Sequence, residues 1–152
     1  MNVAVIAGLE RERIPYELLP HPRTTTAAAE AHALDLPEDV VAKTLVMRAA
    51  AGYVRALLPA SHRLDPRKLA AALDAAEIEL VPEDELVGAY PEFELGAVPP
   101  VGGPPDRIVL DRRLEEFPSI VFEAGRHDQS VRVRTSDLIA ATHAVVADIC
   151  LD

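Results

Sequence analysis

Three short segments carry residue types that could do chemistry. The first holds Lys43, the one charged residue in the apolar run Val40–Met47. On a strand, Lys43 would share a face with Leu45 and Met47. That face is apolar, so Lys43 either snorkels past it to solvent or turns into a pocket. The second is Gly96-Ala97-Val98-Pro99-Pro100-Val101-Gly102-Gly103. Glycine lets a backbone approach a ligand closely and proline holds the loop rigid, although an ordinary surface crossover has the same composition. The third is Gly125-Arg126-His127-Asp128, a hairpin turn with a basic and an imidazole side chain at its tip. A conventional nucleophile is missing. The chain has no GxGxxG, no Walker A loop and no GxSxG elbow, which removes dinucleotide, P-loop and hydrolase-triad chemistry. His21, His32, His62, His127 and His143 never fall at HxxxH spacing and read as scattered surface residues, so no metal site and no cofactor is expected. Cys150, alone near the C-terminus in an apolar stretch, reads as a small buried hydrophobe.

Elements must position these segments. Helical spacing of Val3, Ile6, Ala7 and Leu9 runs into the charged stretch Glu10–Arg13. Tyr16–Leu19 reads as a strand, Thr24 to Thr26 offer an N-cap, and Ala27–Leu34 reads as a helix, with a further helical turn from Pro37. Leu45–Arg48 and Tyr53–Leu58 flank a small-residue turn and read as a hairpin. Asp65-Pro66 opens a helix over Arg67–Leu73. Ile78–Val81 reads as a strand and Glu83–Val87 as a short helix. Tyr90 to Pro105 has too many prolines and glycines for regular structure. Ile108–Leu110, Ser119–Glu123 and Val131–Arg134 read as strands. Thr135 or Ser136 then caps a helix to Ala141, and Ala144–Ile149 closes as a strand. Strands mixed with short helices, without a strict βαβ rhythm, predict an α/β (α+β) fold. Its mixed, barrel-like sheet curls on itself inside short helices, as one domain over 1–152.

Composition narrows the class. Apolar residues make up 49% of the 152 and aromatics only 4%, so the core is built from Ala, Val, Leu and Ile. No apolar run reaches the ~20 residues of a membrane span, and the early charges do not fit a signal peptide. With a single cysteine these features predict a cytoplasmic protein with no membrane partner. The formal charge is −10, from 15 basic and 25 acidic residues, which argues against a DNA-coating protein and leaves room for a local basic patch.

Taken in order, the segments resemble the YbaK/EbsC-type family, free-standing relatives of the editing domain of bacterial prolyl-tRNA synthetases. The resemblance covers nearly the whole chain. It runs through His21-Pro22 and Thr26, Val41–Val46 with Lys43-Thr44-Leu45, Leu57-Leu58-Pro59-Ala60, Arg63-Leu64-Asp65 and Lys68-Leu69, then Gly96–Pro100, Asp111 and Gly125. It implies a mixed, barrel-like fold and a trans-editing aminoacyl-tRNA deacylase. The expected substrate is tRNA-Pro carrying a small wrong amino acid such as cysteine or alanine. It also implies that Lys43 is the main functional side chain, either holding the 3′-terminal phosphate or acting on the aminoacyl end. Gly96, Ala97, Val98, Pro99 and Pro100 would line the pocket and limit side-chain size. Gly125 and His127 would belong to the substrate site, with Arg126 touching tRNA. An aminoacyl ester is already activated, so a placed water and a stabilised oxyanion suffice, and the tRNA's terminal 2′-hydroxyl could assist. The expected partners are the aminoacylated acceptor end and a synthetase. The rival is a non-catalytic tRNA- or synthetase-binding module of the same fold, and a third reading is a hydrolase of another small activated ester.

Overall fold

A computed structural model describes residues 3–152 of the chain. Helix α1 spans Val3–Arg11 and buries Val5 and Leu9 completely. Strand β1 follows at Tyr16–Pro20. Helix α2 covers Ala27–Ala33, where Thr26 is the N-cap and its Oγ1 accepts a hydrogen bond from Ala29 N at 3.0 Å. A 3₁₀ turn at Glu38–Val40 leads into the hairpin of β2 (Ala42–Ala49) and β3 (Gly52–Pro59). Gly52 leaves the turn at φ +135°, outside the range other residues favour. Helix α3, Pro66–Leu73, is capped by Asp65 and closed by Asp74 in the left-handed region. Then come β4 (Glu79–Leu80), α4 (Glu83–Ala89) and the irregular segment expected from Tyr90 onward. The chain ends with β5 (Arg107–Asp111), α5 (Arg112–Glu115), β6 (Ser119–Arg126), β7 (Gln129–Arg134), α6 (Thr135–Thr142) and β8 (Val145–Ala147).

The α/β architecture is the one expected, and its strands divide between two sheets rather than closing into a barrel. One sheet has the order β1-β7-β6, antiparallel throughout. The other, β4-β2-β3-β5-β8, is antiparallel on one side of β3 and parallel on the other. A bridge between Val41 and Val121 ties the two together beside the start of β2. Strand β3 is central and buried on both faces from Val54 to Leu58. It therefore reads as a continuous apolar run, apart from one charge.

That charge is Arg55, 1% exposed. Its guanidinium donates to Pro99 O (2.7 Å), Gly102 O (2.9 Å), Pro104 O (3.0 Å) and Asp106 Oδ2 (2.9 Å). It also stacks over the Tyr90 ring at 5.1 Å. A proline- and glycine-rich segment cannot satisfy its own carbonyls with a ladder, and buried Arg55 does so instead.

Three sequence expectations change. Helix α5 went unread; Asp111 caps it, and the same buried carboxylate accepts from Ile149 N at 2.9 Å, locking β5 to the C-terminal segment. Neither Thr135 nor Ser136 caps α6: the N-cap is Arg134, without a side-chain bond, because Thr135 is already inside the helix and its Oγ1 donates to Phe117 O. The last strand shrinks to Val145–Ala147. Beyond it Asp148 accepts from Lys68 and Arg113, and Cys150 bridges to Leu64.

Candidate functional site

Lys43 follows the first residue of β2, half-buried, with Nζ 3.4 Å from Ala60 O. Burial holds its pKa below the usual lysine range, and nearby Arg63 pushes the same way while Cys150 and Glu38 oppose it. Arg63 is exposed, so two cationic groups face this edge of the fold. Lys43 lines a small cavity of about 50 Å³ together with Thr26, Ala42, Thr44, the Gly96–Val98 backbone and two carboxyl residues, Glu30 and Glu123. That volume admits only a few non-hydrogen atoms.

The loop is fastened at several points. Gly96 sits at φ +85°, so it supplies a turn that other residues resist. Glu94 N donates to Gly125 O at 2.9 Å, His127 Nε2 donates to Leu95 O at 2.7 Å, and Ala97 N donates to Glu94 O at 3.0 Å. Gly125 itself sits at φ +82° in a register shift between Glu123 and Arg126, a bulge that turns the strand end toward the loop.

The predicted site residues therefore separate into groups. Lys43, Gly96, Ala97 and Val98 line the cavity. Pro99 and Pro100 are buried behind it, and Pro99 O is held by Arg55. Gly125 and His127 brace the loop from behind without lining the cavity. Arg126 pairs with Asp128 at 3.1 Å and lines a different, open groove of about 800 Å³ with Arg11, Tyr90 and Phe93. The groove is much the larger space, but it contains neither the lysine nor the buried carboxyls. The lysine and the buried carboxyls are gathered at the small cavity.

Glu30 and Glu123 were not singled out in the sequence. Both were legible by the criterion that found Lys43, a lone charge in an apolar or alanine-rich run. Glu30 is fully buried. Burial raises its pKa to about 8, Glu123 adds to the rise, and a hydrogen bond from Ser130 opposes it. Burial likewise raises Glu123 to about 8, with Glu94 contributing in the same direction. Neither reads as a simple surface carboxylate.

Two of the histidines expected at the surface are buried partners of these acids. His21 Nδ1 stands 2.8 Å from Pro22 O, so that nitrogen donates. Its Nε2 is 2.9 Å from Ser130 Oγ, which is 2.5 Å from Glu30 Oε2. Ser130 thus links the buried acid to the imidazole, donating to Glu30 Oε2. Similarly, His127 uses its Nε2 hydrogen on Leu95 O, leaving Nδ1 at 2.9 Å from Glu123 Oε2 in a contact off the hydrogen-bond line.

Cys150 is buried and its thiol is pushed up to about 12 by burial, which keeps it out of nucleophilic chemistry. Among the described residues, no group of three or more His, Cys, Asp or Glu is placed to hold a metal ion. Among them, too, no helix is long and apolar enough to cross a membrane.

Comparison with known proteins gives a consistent picture. A family profile described as an aminoacyl-tRNA editing domain matches residues 21–141. Proline–tRNA ligase of Staphylococcus aureus is 30% identical over 125 residues, which is 78% of this chain and 21% of the ligase. The chain thus spans about a fifth of the length of that curated relative. Among solved structures, a hypothetical protein aligns at TM-score 0.88 with 27% identity, covering 97% of this chain and 99% of its own. A protein assigned as a candidate trans-editing enzyme for prolyl tRNA synthetase aligns at TM-score 0.87 with 24% identity, covering 100% and 99%.

Proposed function

The chain belongs to the aminoacyl-tRNA editing domain family, and from that premise we propose that it is a trans-editing deacylase, hydrolysing the ester between a small wrong amino acid and tRNA. The observation that carries this reading is the cavity shared by Lys43 and the Gly96–Val98 loop, two segments 53 residues apart in sequence, at a volume of about 50 Å³. Lys43, with Arg63 beside it, supplies the positive charge for the 3′-terminal phosphate. The rigid loop sets the depth available to the amino-acid side chain. Alanine fits such a space, whereas a ring or long chain does not.

The reaction asks little of the protein. Water adds to the ester carbonyl, the bond to the ribose oxygen breaks, and that oxygen takes a proton. Holding the ester against a fixed loop and excluding bulk water lowers the barrier without a protein nucleophile. Resemblance to a proline–tRNA ligase supports tRNA-Pro as the carrier, a synthetase as a partner, and the cytoplasm as the place of work. The test is a deacylation screen against tRNA-Pro mischarged with Ala, Ser or Cys, with Pro-tRNA-Pro as the correctly charged control. Release of a small wrong amino acid with Pro-tRNA-Pro spared is the expected result. Tight tRNA binding with every ester left intact would favour a non-catalytic module.

A further inference from the structure

The cavity beside Lys43 has a charge pattern that a phosphate contact leaves unused. Its cationic side is Lys43, with Arg63 near enough to act on it. Glu30 and Glu123 line the same space. Glu30 is 0% exposed, and among the described residues its Oε1 has no hydrogen-bond partner. Glu123, with a side chain 10% exposed, has its Oε2 close to His127 but outside hydrogen-bond geometry. Buried oxygens without partners are costly, and a fold keeps them where a ligand completes the bonding.

We propose that Glu30 and Glu123 receive the α-ammonium group of the aminoacyl ester, so that the site takes esters of free amino acids and rejects N-blocked ones. The inference rests on the deacylase reading and adds its substrate class. An aminoacyl nucleotide has an anionic phosphate at one end and a cationic ammonium at the other, with the scissile ester between them. A cavity lined by one lysine and two carboxyl residues offers a partner to each of those charges, and holding both ends orients the ester. Ala42, Ala97 and Val98 in the same lining are apolar and suit a small side chain.

Glu30 is held through its other oxygen. Ser130 Oγ donates to Glu30 Oε2 at 2.5 Å and lies 2.9 Å from His21 Nε2, which fixes that oxygen and leaves Oε1 for the ligand.

The experiment compares two hydrolysis-resistant probes by calorimetry at pH 7: 3′-alanylamino-3′-deoxyadenosine 5′-phosphate and its N-acetyl derivative. The wild type is expected to bind the free amine at least ~10-fold more tightly, the scale of a charge-assisted contact. In Glu30→Gln/Glu123→Gln that preference is expected to vanish, and either single variant supplies the comparison should the double variant not fold. Equal affinity of the wild type for both probes, or a preference undiminished in the variants, overturns the proposal; so does failure to bind either. Hydrolysis of alanyl-tRNA and N-acetylalanyl-tRNA separates this proposal from its premise. Equal hydrolysis of both sinks the ammonium site and leaves the deacylase. Selective binding of the amine with no hydrolysis of either substrate sinks the deacylase and leaves the ammonium site.

Discussion

At the scale of single residues, a charge buried on an apolar face has to be explained by what it meets. Among the described residues Lys43 meets one carbonyl at 3.4 Å and no carboxylate at bonding distance, so the fold gains little from its charge. Lys43→Ala is accordingly expected to lower deacylation at least ~100-fold while the melting temperature stays within about 2 °C. Full activity in the variant would remove the lysine from the mechanism. Glu30 makes the complementary case through pH. Its pKa of about 8 in the fold lies above that of an unfolded glutamate, so between these values the native state holds more protons than the unfolded one. Stability then falls as pH rises, by up to about 1.4 kcal/mol per pH unit for each such group. Thermal melts at pH 5 and pH 8 should show a smaller loss for Glu30→Gln than for the wild type. An identical pH dependence would mean that Glu30 is ionised throughout. Lys43 was legible in the sequence because it interrupts seven uncharged neighbours. Glu30 and Glu123 interrupt similar runs and were passed over, since a glutamate near a helix start or in a strand usually faces water.

At the scale of elements, the caps and turns were legible because their chemistry is local. Thr26 and Asp65 each cap the helix that follows, as their spacing from the first apolar residues suggests. What local chemistry misreads is a side chain already committed to a distant partner. Thr135 has the right type for a cap but bonds Phe117 O across a turn. Asp111 caps the unread α5 while also holding the C-terminal segment. The loop over Tyr90–Pro105 shows the same limit, because its shape is set by Arg55 from another strand. Arg55→Met would leave three backbone carbonyls and Asp106 without this donor and should cost on the order of 3–5 kcal/mol, read by denaturant unfolding. A loss below about 1 kcal/mol would mean water replaces the guanidinium easily. Gly96→Val tests the loop from the other side. An added Cβ would meet His127 Cε1 at 3.4 Å, an ordinary contact, so the harm comes from φ +85°. The expected outcome is a larger fractional loss in turnover than in melting temperature, since the strained loop moves where the ester lies. Unchanged turnover would make the loop a mere crossover.

At the scale of the whole molecule, the net charge of −10 confronts a proposed substrate that is a polyanion. Charge count in the sequence could not tell which cations are available, because pairing is decided by the fold. Lys68 is held by Asp148 and Asp152, and Arg126, expected to touch tRNA, is held by Asp128, so neighbours neutralise both. Arg63 is exposed and acts on Lys43, which makes it the better placed. Each phosphate neutralised on a single-stranded end steepens the dependence of log affinity on log salt by about 0.7. Contacts confined to Lys43 and Arg63 should give a shallow slope, between about −1 and −2, with micromolar or weaker binding. Removing Arg63 should weaken binding and flatten the slope by most of one contact. Removing Arg126 should do less, because its guanidinium must first leave Asp128, and Arg48→Ala should leave the slope unchanged. A short aminoacylated acceptor-stem mimic should then be deacylated nearly as fast as whole tRNA. The measurement is filter binding of wild type and the three variants across a salt series. A steep slope in the wild type would place many phosphates against a surface this acidic. The acceptor stem would then have to run along the groove that holds Arg11 and Arg126, with Asp128 yielding its partner to the nucleic acid.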